Sequence, residues 1–150
     1  MTATNHALTG ALIGLSVHNP WLALPAAVLS HFICDSLPHY GDNPDAIRTD
    51  GFRRLLVVEA SLCLAIVAVL SLLRPEHWVL AAICAFLATS PDLMWINKFR
   101  LARQGQSETA KPAAILRFHA WIQWFERPSG AAVEVAWLVA AVILLKLYVV

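Results

Sequence analysis

Charge is what this chain has least of. Only 14% of its 150 residues are Asp, Glu, Lys or Arg, 59% are hydrophobic, and the mean hydropathy is positive. A soluble domain of this size carries about a quarter charged residues, so the composition implies a membrane protein. The length accommodates one compact helical domain, residues 1–150, and no separate soluble domain. A net charge of +1 without any dense Lys/Arg run leaves no electrostatic footprint for nucleic acid, and no nucleic-acid partner is expected. Cys34, Cys63 and Cys84 are odd in number and lack Cys-x-x-Cys spacing, which excludes a disulfide framework and makes them small apolar residues. No Lys or Arg precedes the first apolar run, and Pro20 and Pro25 interrupt it, so a cleaved signal peptide is not expected.

Apolar segments and turn signals alternate along the chain. Thr4 or Asn5 can cap a short helix from about His6 to Val17, with Gly10 and Gly14 on a face suited to close packing. His18-Asn19-Pro20 ends it, and a second helix runs from Pro20 or Trp21 to about Leu37, making a hairpin. Residues 40–51 are polar and turn-rich. Leu55 to Leu73 reads as a span, Arg74-Pro75-Glu76-His77 as a tight turn, and Trp78 to Asn97 as the return span. Residues 98–112 form a basic connection. Ala113 to Glu126 reads as an aromatic amphipathic helix at the interface, and Ala131 to Val150 as the last span. The expected fold is an all-α integral membrane protein: a compact bundle of about four to five membrane helices, comprising the short hairpin and three spans, plus one interfacial helix.

Orientation follows from the cations. Arg48, Arg53 and Arg54 belong to the first long loop and Lys98, Arg100, Arg103, Lys111, Arg117 and Arg127 to the second, against Arg74 in the opposite turn. Both long loops are therefore expected in the cytoplasm, with the chain in a bacterial-type inner (plasma) membrane. Trp21 and Trp78 then fall at the outer interface and Trp95, Trp121 and Trp124 at the inner one.

Metal-capable side chains recur every four residues in Ser30-His31-Phe32-Ile33-Cys34-Asp35-Ser36-Leu37-Pro38-His39. On a helix, His31 and Asp35 project from one face and can chelate one cation. His39 extends the stripe, although Pro38 disfavours helix at Leu37 and places it on the exit turn. An interfacial polar cluster is the plainer alternative. The expected topology brings His6, His31, Asp35, His39, Glu59, Asp92, His119 and Glu134 to one membrane face and leaves His18 and His77 at the other. Within 113–126, His119, Gln123 and Glu126 share one stripe, which either faces water or turns His119 into the site. Pro91 frees a backbone carbonyl beside Asp92, and a carboxylate within a span costs roughly 2.5 to 3.5 kcal/mol without a partner. Glu59 is open to three roles: a ligand, an acceptor from a ligating His, or a partner for Arg53 or Arg54.

Four short motifs in order carry a resemblance: an amino-terminal His-Ala-x-Thr-Gly, the Ser-His-x-x-x-Asp-x-x-Pro-His block, a later Pro-Asp, and Arg-Phe-His-x-x-Ile-Gln. Together they resemble the YdjM-like inner-membrane proteins described as metal-dependent hydrolases, over most of the chain. The resemblance implies metal binding at His6, His31, Asp35, Asp92 and His119. Where that family has a further acid soon after Pro-Asp, this chain has Leu93-Met94-Trp95, which argues against a second metal.

The function expected from residues and resemblance together is a membrane-bound hydrolase using a divalent metal at the cytoplasmic interface. Zinc suits imidazole with few carboxylates, with manganese or iron as alternatives. Glu59, His39 or Glu126 would take the proton, and Gln123, Glu134 and Arg117 would orient a ligand or meet the substrate. A site at headgroup depth suggests a lipid or lipid-linked phospho- or acyl ester as substrate. Two other classes compete: an ion transporter, which requires polar groups through the bundle's depth, and a non-catalytic adaptor with a structural metal.

Overall fold

The computed structural model describes residues 1–41, 49–105 and 113–149. Among these, all regular structure is helical apart from one parallel bridge between His39 and Glu126. Seven α-helices follow in order: α1 Ala3–Ser16, α2 Pro20–Asp35, α3 Asp50–Leu73, α4 Trp78–Thr89, α5 Ile96–Arg103, α6 Ala114–Ile122 and α7 Ala131–Val149. A 3₁₀ segment, Ser90–Trp95, joins α4 to α5, and a 3₁₀ turn, Pro128–Gly130, leads into α7. Three helical stretches are long and apolar enough to cross a membrane: Asp50–Leu73, Trp78–Arg103 and Pro128–Val149.

The short helix α1 is the hub of the bundle, packed against α2, α3, α4 and α7. Its small residues make this feasible. A Cβ built on Gly10 would fall 2.3 Å from the Cys84 carbonyl oxygen, and one on Gly14 would fall 2.4 Å from the Ala81 Cα. The two backbones therefore touch, as small-residue helix interfaces allow. The core is correspondingly alanine-rich: Ala7, Ala11, Leu15, Leu70, Ala81 and Ala85 form one cluster, and Ala23, Ala27, Cys84 and Ala88 another.

Several helix ends differ from the expectation, for reasons remote from the local sequence. α1 starts at Ala3, ahead of the expected His6, because carboxylates from other helices satisfy its first N–H groups. Glu134 of α7 accepts from the Thr2 N–H and hydroxyl, and Glu59 of α3 accepts from those of Thr4. α3 starts at Asp50, inside the expected loop, where Thr49 Oγ1 accepts from Phe52 N at 3.2 Å as an N-cap. Residues 42–48 of that loop and 106–112 of the second connection, with Arg48 and Lys111, lie outside the described residues. α2 begins as expected, with Asn19 capping Trp21 N and Pro20 in the first turn.

The expected span from Trp78 to Asn97 is two helices with a break. Proline lacks an N–H and clashes with the preceding turn of an α-helix, so α4 stops at Thr89 and Pro91 opens the 3₁₀ segment. Hydroxyls cover carbonyls loosened by the change: Ser90 Oγ donates to Leu87 O and Thr89 Oγ1 to Phe86 O, both at 2.9 Å.

Candidate metal centre

The break in α4 determines what His31 can do. In the 3₁₀ register Pro91 has no N–H to give to the Ala88 carbonyl, and that carbonyl accepts instead from His31 Nδ1 at 2.8 Å. A neutral imidazole protonated on Nδ1 carries its lone pair on Nε2. His31 Nε2 faces Asp35 Oδ2 at 3.2 Å, Asp92 Oδ1 at 3.7 Å and His119 Nε2 at 3.0 Å. His119 Nε2 in turn lies 3.1 Å from Asp35 Oδ2 and 3.8 Å from Asp92 Oδ1.

This set of atoms could accommodate a cation. A lone pair on His31 Nε2 faces two carboxylate oxygens, and one N–H on His119 cannot serve all three acceptors. One donor atom from each of His31, Asp35, Asp92 and His119 lies within 4.8 Å of every other, so the four could hold a metal ion. The spacing suits a small ion: donors at about 2.0–2.1 Å from a tetrahedral zinc stand about 3.3 Å apart, and the separations given above run from 3.0 to 3.8 Å. The side chains of His31, Asp35 and His119 are 0–1% exposed, whereas that of Asp92 is 35% exposed. The cluster therefore opens to its surroundings beside Asp92.

Asp35 is the centre of a wider network. Its Oδ2 accepts from Gln123 Nε2 at 3.2 Å. Its Oδ1 receives His6 Nε2 at 3.0 Å and the Met1 amino group. His6 thus touches Asp35 through the oxygen turned away from His119, and its ring stacks on His31 with centroids 4.1 Å apart. Trp95 lies against His119 with ring centroids 5.3 Å apart, and Lys98 Nζ stands 4.7 Å over the Trp95 ring.

The structure places the other sequence candidates outside this group. His39 is buried on the α2 exit and turns its Nδ1 to the Leu37 carbonyl at 2.8 Å, because Pro38 has ended the helical stripe. Glu126 is exposed and lies on a backbone strap, in which His39 N donates to Phe125 O and Arg127 N to His39 O. That pairing also explains why α6 ends at Ile122, short of the expected Glu126. Gln123 turns inward towards Asp35 while Glu126 does not, so the expected stripe divides. Arg117 is exposed on α6. Glu59 binds Thr4, and Glu134 is buried, accepting from Thr2, from Asn5 Nδ2 at 2.6 Å and from Tyr40 N at 3.3 Å.

Sequence reasoning missed Thr2, Thr4 and Asn5 as members of this end of the bundle. Their acceptors lie 55 to 132 residues away, and Thr4 and Asn5 ahead of an apolar run read only as candidates for a local cap. Comparison with protein-family models gave no match, and neither did comparisons with curated protein sequences or with solved structures.

Proposed function

We propose that this chain is a membrane-embedded metal-dependent hydrolase whose site lies at the cytoplasmic interface of a bacterial-type inner membrane. One observation carries the reading. Four donors of metal-binding type converge at one end of a bundle with three membrane-length helices, and one of them, Asp92, is open to solvent. The order of the His6, His31–Asp35–His39, Asp92 and His119–Gln123 motifs supports membership of the YdjM-like proteins as part of the same proposal.

His31, Asp35, Asp92 and His119 would hold the ion, with zinc favoured by two imidazoles and two carboxylates. Bound there, a divalent cation supplies Lewis acidity towards a phosphoryl or acyl oxygen and lowers the pKa of water in contact with it. The chain's own residues do the rest. Ala88 fixes the His31 tautomer, Gln123 orients Asp35 and His119, and burial of the His31, Asp35 and His119 side chains keeps bulk water from all but the Asp92 side. Asp92, the one partly exposed donor of the four, marks the side from which water and substrate would reach the ion. An opening at the headgroup level of the bundle suits a lipid or lipid-linked ester.

Transport ranks second because the clustered polar side chains gather at one end of the bundle, whereas a conduction path needs them through its depth. The test is an activity screen of purified protein, zinc-loaded and chelator-stripped, on phospholipid, pyrophosphate and acyl-ester substrates. Zinc-dependent turnover of one class, lost in His31→Ala, is the expected result; inactivity on all of them by fully zinc-loaded protein would contradict the hydrolase reading.

A further inference from the structure

His119 reaches the metal centre from a helix that the bundle holds lightly. Of the nine residues of α6 only His119 is buried. Beyond the contacts of His119 with Asp35, His31, Asp92, Phe32 and Trp95 and of Gln123 with Asp35, the described ties of this region are Phe118 against Phe32, Trp124 Nε1 donating to Ser36 O, and the backbone strap at 125–127. Meanwhile Ile115, Phe118, Trp121 and Trp124 are exposed, the two tryptophans by 72% and 68%. Leu29 and Ile33 of α2, the helix that Phe118 meets through Phe32, are exposed as well, so both helices present apolar side chains outward.

The surrounding charge identifies the occupant of that surface. Among the described residues no Lys or Arg forms an ion pair with a carboxylate; every such pair is made by a His or by the Met1 amino group. Arg117 and Arg127 flank the exposed tryptophans in sequence, and α5, the helix before, carries Lys98, Arg100 and Arg103. Cations without a carboxylate partner, beside exposed indoles, match a leaflet carrying anionic phospholipid, where aromatic rings sit at headgroup depth and arginines meet phosphates. A second copy of the chain would set the same arginines against each other.

We propose that α6 docks on an anionic lipid surface and that this docking sets the metal affinity of the centre by delivering His119. The inference rests on the metal site proposed above. If only a fraction of molecules hold α6 docked, the apparent metal Kd rises as the inverse of that fraction, so lipid composition regulates occupancy without touching the other three donors.

The test uses the full chain in nanodiscs of phosphatidylcholine alone or of phosphatidylcholine mixed with phosphatidylglycerol, with Zn2+ Kd measured by chelator competition. The expected Kd is about tenfold or more lower in the anionic discs. His119→Ala should bind Zn2+ weakly and equally in both lipids, while lipid-borne quenchers still quench Trp121 and Trp124 more in anionic discs, because docking itself does not need the ligand. Arg117→Gln with Arg127→Gln should shrink the difference between lipids. An equal Zn2+ Kd in the two lipids, with the wild type still binding, would overturn the coupling and leave the metal site standing. No Zn2+ binding in either lipid would overturn both.

Discussion

His31 Nδ1 donates to the Ala88 carbonyl at 2.8 Å, across 57 residues of sequence. A proline three residues after Ala88 leaves that carbonyl without its helical donor, and the imidazole that fills the gap has its other nitrogen turned into a group of carboxylates. A backbone defect in one helix thereby fixes the tautomer of a histidine in another, as the hydrogen bond at the second nitrogen does in metal sites generally. Pro91→Ala should let α4 continue as a helix and take the Ala88 carbonyl back. Zinc affinity should fall about 10- to 100-fold, read by chelator competition; unchanged affinity would detach the tautomer from the break.

His119 and Gln123 should separate in degree. His119→Ala removes a donor and should cost most of the zinc affinity, whereas Gln123→Ala removes the contacts that orient Asp35 and His119 but no donor and should cost about tenfold. Equal effects in the same competition assay would mean that α6 acts through packing.

Glu59 and Glu134 hold α1 in place by capping it from two other helices. Glu134→Ala takes the acceptor from the Thr2 N–H and hydroxyl and from Tyr40 N and leaves the buried Asn5 amide with only the residue-134 backbone carbonyl, and each unpaired buried group costs about 1–3 kcal/mol. Its thermal unfolding midpoint in detergent should therefore drop further than that of Glu59→Ala, which frees only the Thr4 groups. If Glu59→Ala instead lost turnover at unchanged stability, Glu59 would be the proton acceptor.

Gly14→Val should be among the most damaging single changes in the apolar core. Its Cβ would meet the Ala81 backbone at 2.4 Å, which no side-chain rotation relieves, and overpacking costs about 1–3 kcal/mol or more where backbone must move. The expected outcome is a sharp fall in monodisperse yield on size-exclusion chromatography, with Gly51→Val, whose Cβ meets only Thr49 Oγ1 at 3.6 Å, close to wild type.

The topology predicts which surfaces share a compartment. With the native cysteines replaced, Asp50→Cys and Gln104→Cys should react with a membrane-impermeant maleimide from the cytoplasmic side and Glu76→Cys from the other. Labelling of the first two from opposite sides would break the convergence of the site on one face.

Much of this was legible in the residues. Long apolar runs between Pro, Gly and charged punctuation gave the three membrane-length stretches, and four-residue spacing put His31 and Asp35 on one face. Pro91 announced both a freed carbonyl and a carboxylate beside it. Three-dimensional relationships were not legible. Nothing near Thr2 or Thr4 says that carboxylates from α3 and α7 will cap them, so the start of α1 and the roles of Glu59 and Glu134 were out of reach. Likewise a strap between His39 and residues 125–127 cuts α6 short, and pairing of that kind leaves no periodicity to read.

The central claim, that a metal ion belongs among His31, Asp35, Asp92 and His119, is tested most directly at Asp35, the residue both histidines and Gln123 converge on. Purified wild type and Asp35→Asn, exposed to zinc, passed over a desalting column and measured by elemental mass spectrometry, should differ completely. The account predicts a stoichiometric ion in the wild type and none retained in the variant, with both eluting as folded protein. Retention of the full complement by Asp35→Asn, or a wild type that keeps no metal at all, would contradict it.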